Sequence, residues 1–256
     1  MLLTVLGCSG SAPGPNAATS GYLVESDGSR LVLDLGYGTL AALQAVRDPF
    51  AVDALLFSHL HPDHCGDFSG YIVLRRYHPT PPIDPTRHRL PVYGPGDARD
   101  RLVAAYACNA TEAAETDLSD YFAFQEYGDP AAEIAGFTVT AAPVDHPCEA
   151  YGVRIERGGR SLCYTGDSAL CDSLVRLADG VDTLLSEASW TDGPDRPTGL
   201  HMSGRQAGEL AAKAGVGRLV VTHVPPWTDK DAVLAEARQA FPGDVVLAAA
   251  GTEYRV

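Results

Sequence analysis

Basic residues are scarce in this chain of 256 residues. Lys and Arg number 19 against 33 Asp and Glu, which gives a formal net charge of −14. The longest run of basic residues is the pair Arg75-Arg76. Because a protein that grips long nucleic acid through its phosphates usually presents a basic face, this balance argues against a large nucleic acid as substrate. A small anion stays compatible, because a bound cation dominates the electric field at its own site.

Paired cysteines and long apolar runs are also missing. The six cysteines form no Cys-x-x-Cys pair, so neither a zinc ribbon nor a thioredoxin-type site is expected. No apolar run reaches the roughly 18 residues that a membrane-spanning helix needs. The amino terminus lacks the basic start and apolar stretch of a secretory signal. We therefore expect a cytoplasmic protein without a disulfide framework and without a membrane segment.

Short β-rich segments separated by turn-forming residues fill most of the chain, and helices alternate with strands in its last third. Strands are predicted over 2–6, 21–26, 30–35, 54–57, 91–93, 121–126, 137–142, 151–156, 161–164, 183–186, 218–222 and 245–249. Helices are predicted over 39–46, 68–77, 99–107, 169–177, 204–214 and 230–240. The proline-rich segment 78–90 is predicted to be a loop, of a length that often covers a site. This order predicts one α/β domain over residues 1–256, with two mixed β-sheets flanked by helices.

The segment His59-Leu60-His61-Pro62-Asp63-His64 is the most informative part of the sequence. It places four potential metal ligands directly after the predicted apolar strand 54–57. Imidazole nitrogen and carboxylate oxygen together suit zinc, manganese or iron. A polar loop with histidines present by chance is the alternative, and the spacing of the ligands disfavours it.

Three further candidate ligands each follow a predicted strand. His146 follows the strand 137–142, Asp167 follows 161–164, and His223 follows 218–222. Gly166 permits a tight turn just before Asp167. Each of these residues alone would more often be an ordinary surface or core residue, but together with the first segment they predict a metal site.

These motifs (His-x-His-x-Asp-His, then His, Gly-Asp and Thr-His) resemble the metallo-β-lactamase superfamily, in its RNase Z-like and phosphodiesterase branch. The resemblance implies a four-layer αββα sandwich with two divalent metal ions at one edge of the sheets, zinc being favoured over manganese or iron. It implies that the first metal is bound by His59, His61 and His146, that the second is bound by Asp63, His64 and His223, and that Asp167 bridges both.

Residues 7–11, 75–79, 187–191 and 222–228 are similar to actinobacterial phosphodiesterases that degrade cyclic nucleotides. The leading hypothesis is therefore a phosphodiesterase that cleaves a small cyclic nucleotide such as 3′,5′-cyclic AMP, with a hydroxide held between two metals as the nucleophile. Asp63 would orient this hydroxide or take its proton. His201 lies where similar enzymes place a histidine that contacts phosphate, and Glu187 would fix the tautomer of His201.

Three other functions stay open. RNase Z enzymes grip tRNA with an arm inserted between the third histidine and the bridging aspartate, whereas only 20 residues separate His146 from Asp167 here. A lactone or thioester hydrolase would use the same two metals. A non-catalytic metal-binding protein is disfavoured, because all seven ligand positions are intact.

The expected partner is a small anionic phosphodiester substrate, and the family implies a possible homodimer. Trp190 and Trp227 both follow strands that carry site residues, and packing is the expected role of each, with stacking on a nucleobase as the alternative. Arg75 and Arg76, paired on a predicted helix, are expected to be solvated.

Overall fold

The computed structural model describes residues 1–128 and 131–256, and two β-sheets flanked by helices account for most of them. The strands in chain order are β1 (Leu2–Gly7), β2 (Gly21–Ser26), β3 (Ser29–Leu33), β4 (Ala54–Leu56), β5 (Leu90–Gly94), β6 (Phe122–Glu126), β7 (Ala132–Ile134), β8 (Phe137–Pro143), β9 (Tyr151–Arg157), β10 (Arg160–Tyr164), β11 (Thr183–Glu187), β12 (Arg218–Thr222), β13 (Asp244–Leu247) and β14 (Glu253–Arg255). The α-helices are α1 (Thr39–Val46), α2 (Pro62–Cys65), α3 (Phe68–Tyr77), α4 (Ala98–Tyr106), α5 (Ala110–Glu115), α6 (Asp172–Leu177), α7 (Gly204–Ala214) and α8 (Lys230–Ala240).

The two sheets have the same size and the same pattern of strand directions. The order is β14-β1-β2-β3-β4-β5-β6 in the first seven-stranded sheet and β13-β12-β11-β10-β9-β8-β7 in the second. In the first sheet β3 to β6 are parallel, and in the second β10 to β13 are parallel, while the remaining pairs are antiparallel. Both sheets are mixed, as predicted.

Alternation along the strands divides the apolar side chains among three cores. In β3, Leu31 and Leu33 belong to the core between the two sheets, which they share with Val153 and Ile155 of β9. Val32 points to the opposite face and packs in the core beneath α1, α3 and α4. A third core lies between the second sheet and the helices α6, α7 and α8. These layers form the αββα sandwich, which confirms the predicted fold class.

Most predicted elements are present, and the differences have structural causes. The helix predicted over 169–177 begins only at Asp172, because Ala169 forms an antiparallel bridge with Asp145 and Cys171 has an extended backbone (φ −140°, ψ 159°). The elements α2, α5, β7 and β14 were not predicted, and all of them are short. Strand β14 pairs with β1 and so joins the two ends of the described chain, while the single domain over 1–256 stays a prediction.

The segment 78–90 lies at the amino ends of the parallel strands of the first sheet, away from the candidate ligands. The His78 ring is 5.5 Å from the ring of Phe50, which precedes β4, and the Arg75 guanidinium donates to the His88 carbonyl oxygen at 2.8 Å. A loop of this length often covers a site, whereas the contacts of 78–90 hold it against Phe50 and Arg75. Among the described residues, no helix has both the length and the apolar character needed to cross a membrane.

Candidate metal centre

The candidate ligands come from both sheets and meet where their parallel strands end. His59 follows β4 in the first sheet, while Asp167 and His223 follow β10 and β12 in the second. His146 follows β8, which runs in the same direction as β10. The carboxyl ends of parallel strands lie at one edge of a sheet, and the loops that leave them commonly build functional sites there.

His59, His61 and His146 form the first group of candidate ligands, with one nitrogen of each within 4.8 Å of the others. The Nδ1 atom of His61 lies 3.0 Å from His59 Nε2 and 3.2 Å from His146 Nε2. His146 Nδ1 is 2.9 Å from the carbonyl oxygen of Leu200, which can only accept a hydrogen bond. Nδ1 therefore carries the proton of His146, and Nε2 offers a free lone pair toward the other two histidines.

Asp63, His64, Asp167 and His223 form the second group, whose ligand atoms also lie within 4.8 Å of one another. Asp63 Oδ2 is 3.1 Å from His223 Nε2, and Asp167 Oδ1 is 3.2 Å from His64 Nε2. Asp167 also reaches the first group, because its Oδ2 atom lies 3.7 Å from His59 Nε2. Asp167 thus stands between the two groups.

Asp34 supports this centre although the sequence motifs do not include it. It directly follows β3 and is 1% exposed. Its carboxylate accepts hydrogen bonds of 2.7 Å from Ser58 N–H, His64 Nδ1 and the Tyr164 hydroxyl. The bond to Nδ1 fixes the proton of His64 there and leaves Nε2 free to face Asp167. Its position at the end of a strand, shared with the predicted ligands, was the available signal.

Glu187 connects two histidines on the other side of the centre. This fully buried carboxylate lies 2.8 Å from His201 Nδ1 through Oε1, and its Oε2 accepts from the Ser189 hydroxyl at 3.2 Å. The Ser189 oxygen in turn lies 3.2 Å from His223 Nδ1. The predicted contact between Glu187 and His201 is therefore present, whereas the catalytic roles of the two residues stay predictions.

Burial and neighbouring charges set the protonation of the centre in the absence of a metal. Burial lowers the pKa of His59, His61 and His146, so these imidazoles are neutral near pH 7, the form in which histidine binds metals. Burial alone would lower the pKa of His64 as well, but the Asp167 and Asp34 carboxylates outweigh it and raise that pKa.

The pKa values of the two aspartates of the centre and of the neighbouring His201 shift in opposite directions. For Asp63 and Asp167, the neighbouring His223 and His64 outweigh burial and hold the pKa of each carboxyl below its usual range. For His201, the Glu187 carboxylate likewise outweighs burial, through its charge and its hydrogen bond, and raises the pKa to about 9.

The residues of the centre fit bound divalent metal ions. The buried atoms His64 Nε2 and Asp167 Oδ1 face each other at 3.2 Å without the geometry of a hydrogen bond, and neither has another partner within residues 1–128 and 131–256. A buried polar atom left without a partner costs about 1–3 kcal/mol, and coordination of a cation would remove that cost. The His and Asp cluster is therefore able to bind metal ions, and its nitrogen and oxygen donors suit zinc, manganese or iron alike.

Two glycines allow the backbone to approach the candidate ligands. A Cβ atom at Gly36 would overlap the carbonyl oxygen of Asp63. Gly166, just before Asp167, has a φ of 58°, and a Cβ atom there would lie 2.8 Å from the Cβ atom of Ser58. The absence of a side chain at Gly36 and Gly166 therefore lets the backbone at Asp63 pack against Gly36, and the turn before Asp167 pack against Ser58.

Three side chains outside the ligand set had expected positions: Trp190 agrees with the expectation, while Arg75 and Trp227 differ from it. Arg75 is 2% exposed rather than solvated, and its guanidinium lies 5.4 Å from the centre of the Phe50 ring. Trp190 packs as expected, with its ring 5.3 Å from that of His201. Trp227 does not pack into a core, because 70% of it is exposed.

Comparison with known proteins gives one family match. A model of the β-lactamase superfamily domain matches residues 29–224. The matched segment includes all seven candidate ligands, with His223 close to its end, and the residues that support them.

Similar proteins cover nearly the whole chain. An uncharacterized protein of Mycobacterium leprae is 46% identical over 258 residues, which cover 99% of this chain and 88% of that protein. The probable metallo-hydrolase YhfI of Bacillus subtilis is 31% identical over 252 residues, 98% of each chain. Its crystal structure superposes with a TM-score of 0.84 over 99% of this chain and 98% of that chain, at 29% identity. A ribonuclease Z of Mycobacterium bovis is 30% identical over 248 residues, 88% of this chain and 86% of that enzyme.

Proposed function

The chain belongs to the metallo-β-lactamase superfamily and is a metal-dependent hydrolase, and we propose that it cleaves the phosphodiester of a small cyclic nucleotide such as 3′,5′-cyclic AMP. The observation that carries the proposal is the position of His201. Its Nδ1 atom lies 3.9 Å from Asp167 Oδ2, and the residue also lines a cavity of about 470 Å³. A phosphate at the metal centre would therefore have an imidazole beside it and room for a small organic group next to it.

The proposal assigns the candidate ligands to two metal sites that share one carboxylate. When bound, the two ions would supply an activated water nucleophile and would neutralise charge on the phosphate oxygens. The first ion would be held by His59, His61 and His146, the second by Asp63, His64 and His223, and both by Asp167.

Three side chains would handle protons in this reaction. Oδ2 of Asp63 accepts from Ser11 N–H at 2.9 Å and lies 3.1 Å from His223 Nε2 among the candidate ligand atoms, so Oδ1 is the atom that would take the proton of the attacking water. His201 would donate a proton from Nε2 to the leaving oxygen. Glu187, bonded to Nδ1 of His201, would keep that ring oriented and charged for the donation.

Two observations favour a small substrate over tRNA. The residues between His146 and Asp167 form the hairpin of β9 and β10, which pairs inside the second sheet. In RNase Z enzymes the arm that grips tRNA is inserted at this point of the chain. The net charge of −14 also disfavours a polyanionic substrate. A tRNA 3′-end endonuclease is nevertheless the second candidate, because the ribonuclease Z of Mycobacterium bovis is 30% identical.

The test is turnover of 3′,5′-cyclic AMP by protein reconstituted with Mn²⁺ or Zn²⁺, with the product identified by chromatography as a nucleoside monophosphate. We expect turnover by the parent protein and none by Asp63→Ala or Asp167→Ala, because each substitution removes a ligand oxygen. Bound metal and circular dichroism of each variant would be measured alongside.

Two results would contradict the proposal. If metal is bound and cyclic AMP is not hydrolysed, the cyclic nucleotide assignment is wrong, and release of the 3′ trailer from a precursor tRNA in a parallel reaction would favour the endonuclease. If both aspartate variants fold and keep full activity, the assignment of the metal ligands is wrong.

A further inference from the structure

We propose that the cavity beside His201 binds the nucleoside part of the substrate and that the Trp227 indole stacks on the base. This inference rests on the proposed function, because it takes the reacting phosphate to lie at the metal centre. It assigns a specificity-determining role to Trp227 and a chemical class, a nucleobase with its ribose, to the cavity.

The cavity adjoins the candidate metal centre. Two residues that line it, Ser11 and His201, also touch the centre: Ser11 N–H donates to Asp63 Oδ2 at 2.9 Å, and His201 Nδ1 lies 3.9 Å from Asp167 Oδ2. A substrate whose phosphate is at the metals therefore has room for its remaining atoms in this space. A volume of about 470 Å³ falls within the range of small-molecule sites, roughly 300–1,000 Å³.

Trp227 presents a large aromatic surface to this cavity on a turn that is already fixed. It is 70% exposed and lines the cavity together with Pro225. The turn is closed by Thr228 N–H, which donates to the Pro225 carbonyl oxygen at 3.0 Å, and Thr228 Oγ1 donates to the Ser189 carbonyl oxygen at 3.0 Å. Because the backbone that carries the indole is ordered before a ligand arrives, stacking costs little further conformational entropy.

A second wall of the cavity displays a planar cation. The Arg196 guanidinium lies 5.7 Å from the centre of the Trp190 ring, and it donates to the carbonyl and hydroxyl oxygens of Thr191 at 2.8 and 3.1 Å. A guanidinium fixed by these contacts offers a planar group on which a base can stack. Thr228 Oγ1 already donates to the Ser189 carbonyl oxygen, so its proton is not available to the edge of a base, whereas the Trp227 indole offers a face on which a base can stack.

The kinetic test compares holoenzyme variants on cyclic AMP. We expect Trp227→Ala to raise KM about tenfold with kcat retained, the loss typical of one base–aromatic stack, and Trp227→Phe to restore most of the affinity. Tyr77→Ala, which removes an aromatic side chain of similar exposure (61%) at the end of α3, is the matched control and should leave both constants unchanged. A KM for Trp227→Ala within twofold of the parent value would overturn the inference.

The binding test does not depend on turnover. The chain has two tryptophans, so in Trp190→Phe the only indole is Trp227, and adenosine should quench its fluorescence in a saturable way. Absence of quenching by adenosine would overturn the inference, and would leave Trp227 as a contact for a partner of another kind. If the parent protein binds adenosine but does not hydrolyse cyclic AMP, the proposed function fails while the nucleoside site stands. If the parent protein hydrolyses cyclic AMP and adenosine does not quench Trp227 in Trp190→Phe, the proposed function stands while the nucleoside site fails.

Discussion

Replacing Asp34 by Asn tests whether a buried carboxylate outside the ligand set controls metal binding. Asn has the same shape, but it presents one acceptor oxygen and one NH₂ group where Asp34 presents two acceptors. Asp34 Oδ1 accepts from Ser58 N–H, while Oδ2 accepts from Ser58 Oγ, His64 Nδ1 and the Tyr164 hydroxyl, all at 2.7 Å. The amide of Asn can therefore take either of two orientations, and each has a different cost.

One orientation points NH₂ at the Ser58 N–H. Two buried donors then face each other, which costs about 1–3 kcal/mol, and the backbone N–H cannot change its role. The other orientation points NH₂ at His64, Tyr164 and the Ser58 hydroxyl. The hydroxyls can rotate to accept, and His64 can accept by moving its proton from Nδ1 to Nε2. We expect this second orientation, because it keeps the Ser58 N–H bonded to an oxygen, and the two hydrogens of the NH₂ can serve His64 and one of the two hydroxyls.

The consequence is that Nε2 of His64 carries a proton where a metal ligand needs a lone pair. We expect Zn²⁺ affinity to fall about 10- to 100-fold, the effect typical of losing such a supporting contact. Competition with a chromophoric chelator measures the affinity, and ¹⁵N chemical shifts of the imidazole report its tautomer. Asp53→Asn is the matched control, since Asp53 accepts from Arg30 N–H at 2.7 Å far from the ligands. A folded Asp34→Asn protein with Zn²⁺ affinity within about threefold of the parent would refute this reasoning.

Further substitutions separate roles in catalysis from roles in architecture. His201→Ala should lower kcat on cyclic AMP by about 10²- to 10⁴-fold while leaving bound metal, measured by elemental analysis, close to the parent value; lost metal would instead make His201 a ligand. Gly36→Ala should lower the free energy of unfolding in urea by about 1–3 kcal/mol or more, because the new methyl group overlaps the Asp63 carbonyl oxygen. Gly70→Ala in α3 is its control: the new methyl group would lie 3.2 Å from the end of the Leu40 side chain, which can move, so the change should be close to neutral or stabilising, and an equal loss in both variants would contradict the steric argument.

Local patterns were enough to predict most of this fold and most of the candidate centre. The segment from His59 to His64 was recognisable because its ligands lie within a few residues. His146, Asp167 and His223 were found because each follows an apolar strand, and strand ends meet at one edge.

Features that depend on distant contacts escaped prediction. Asp34 acts on His64, 30 positions away, and its place directly after a strand marks it as a candidate site residue without identifying that contact. Strand β14 exists because it pairs with β1 at the other end of the chain. The late start of α6 depends on the antiparallel bridge between Ala169 and Asp145. Trp227 was expected to pack because large apolar side chains usually do. It is 70% exposed because it lies on the turn that begins at Pro225, which the sequence pattern did not reveal.

The contacts that join the two sheets at this edge explain why the candidate centre and the fold are coupled. The Tyr22 hydroxyl of the first sheet lies 2.7 Å from Thr222 Oγ1 of the second, next to His223. A second bond starts from the other sheet: the Tyr164 hydroxyl of the second sheet donates to Asp34, which follows β3 of the first. Each of these buried bonds ends at or beside a residue that holds or supports the centre. A slide of one sheet against the other would break both bonds and separate Asp63 and His64 from Asp167 and His223. The register of the sheets, set by the core between them, therefore fixes the distances on which metal binding depends.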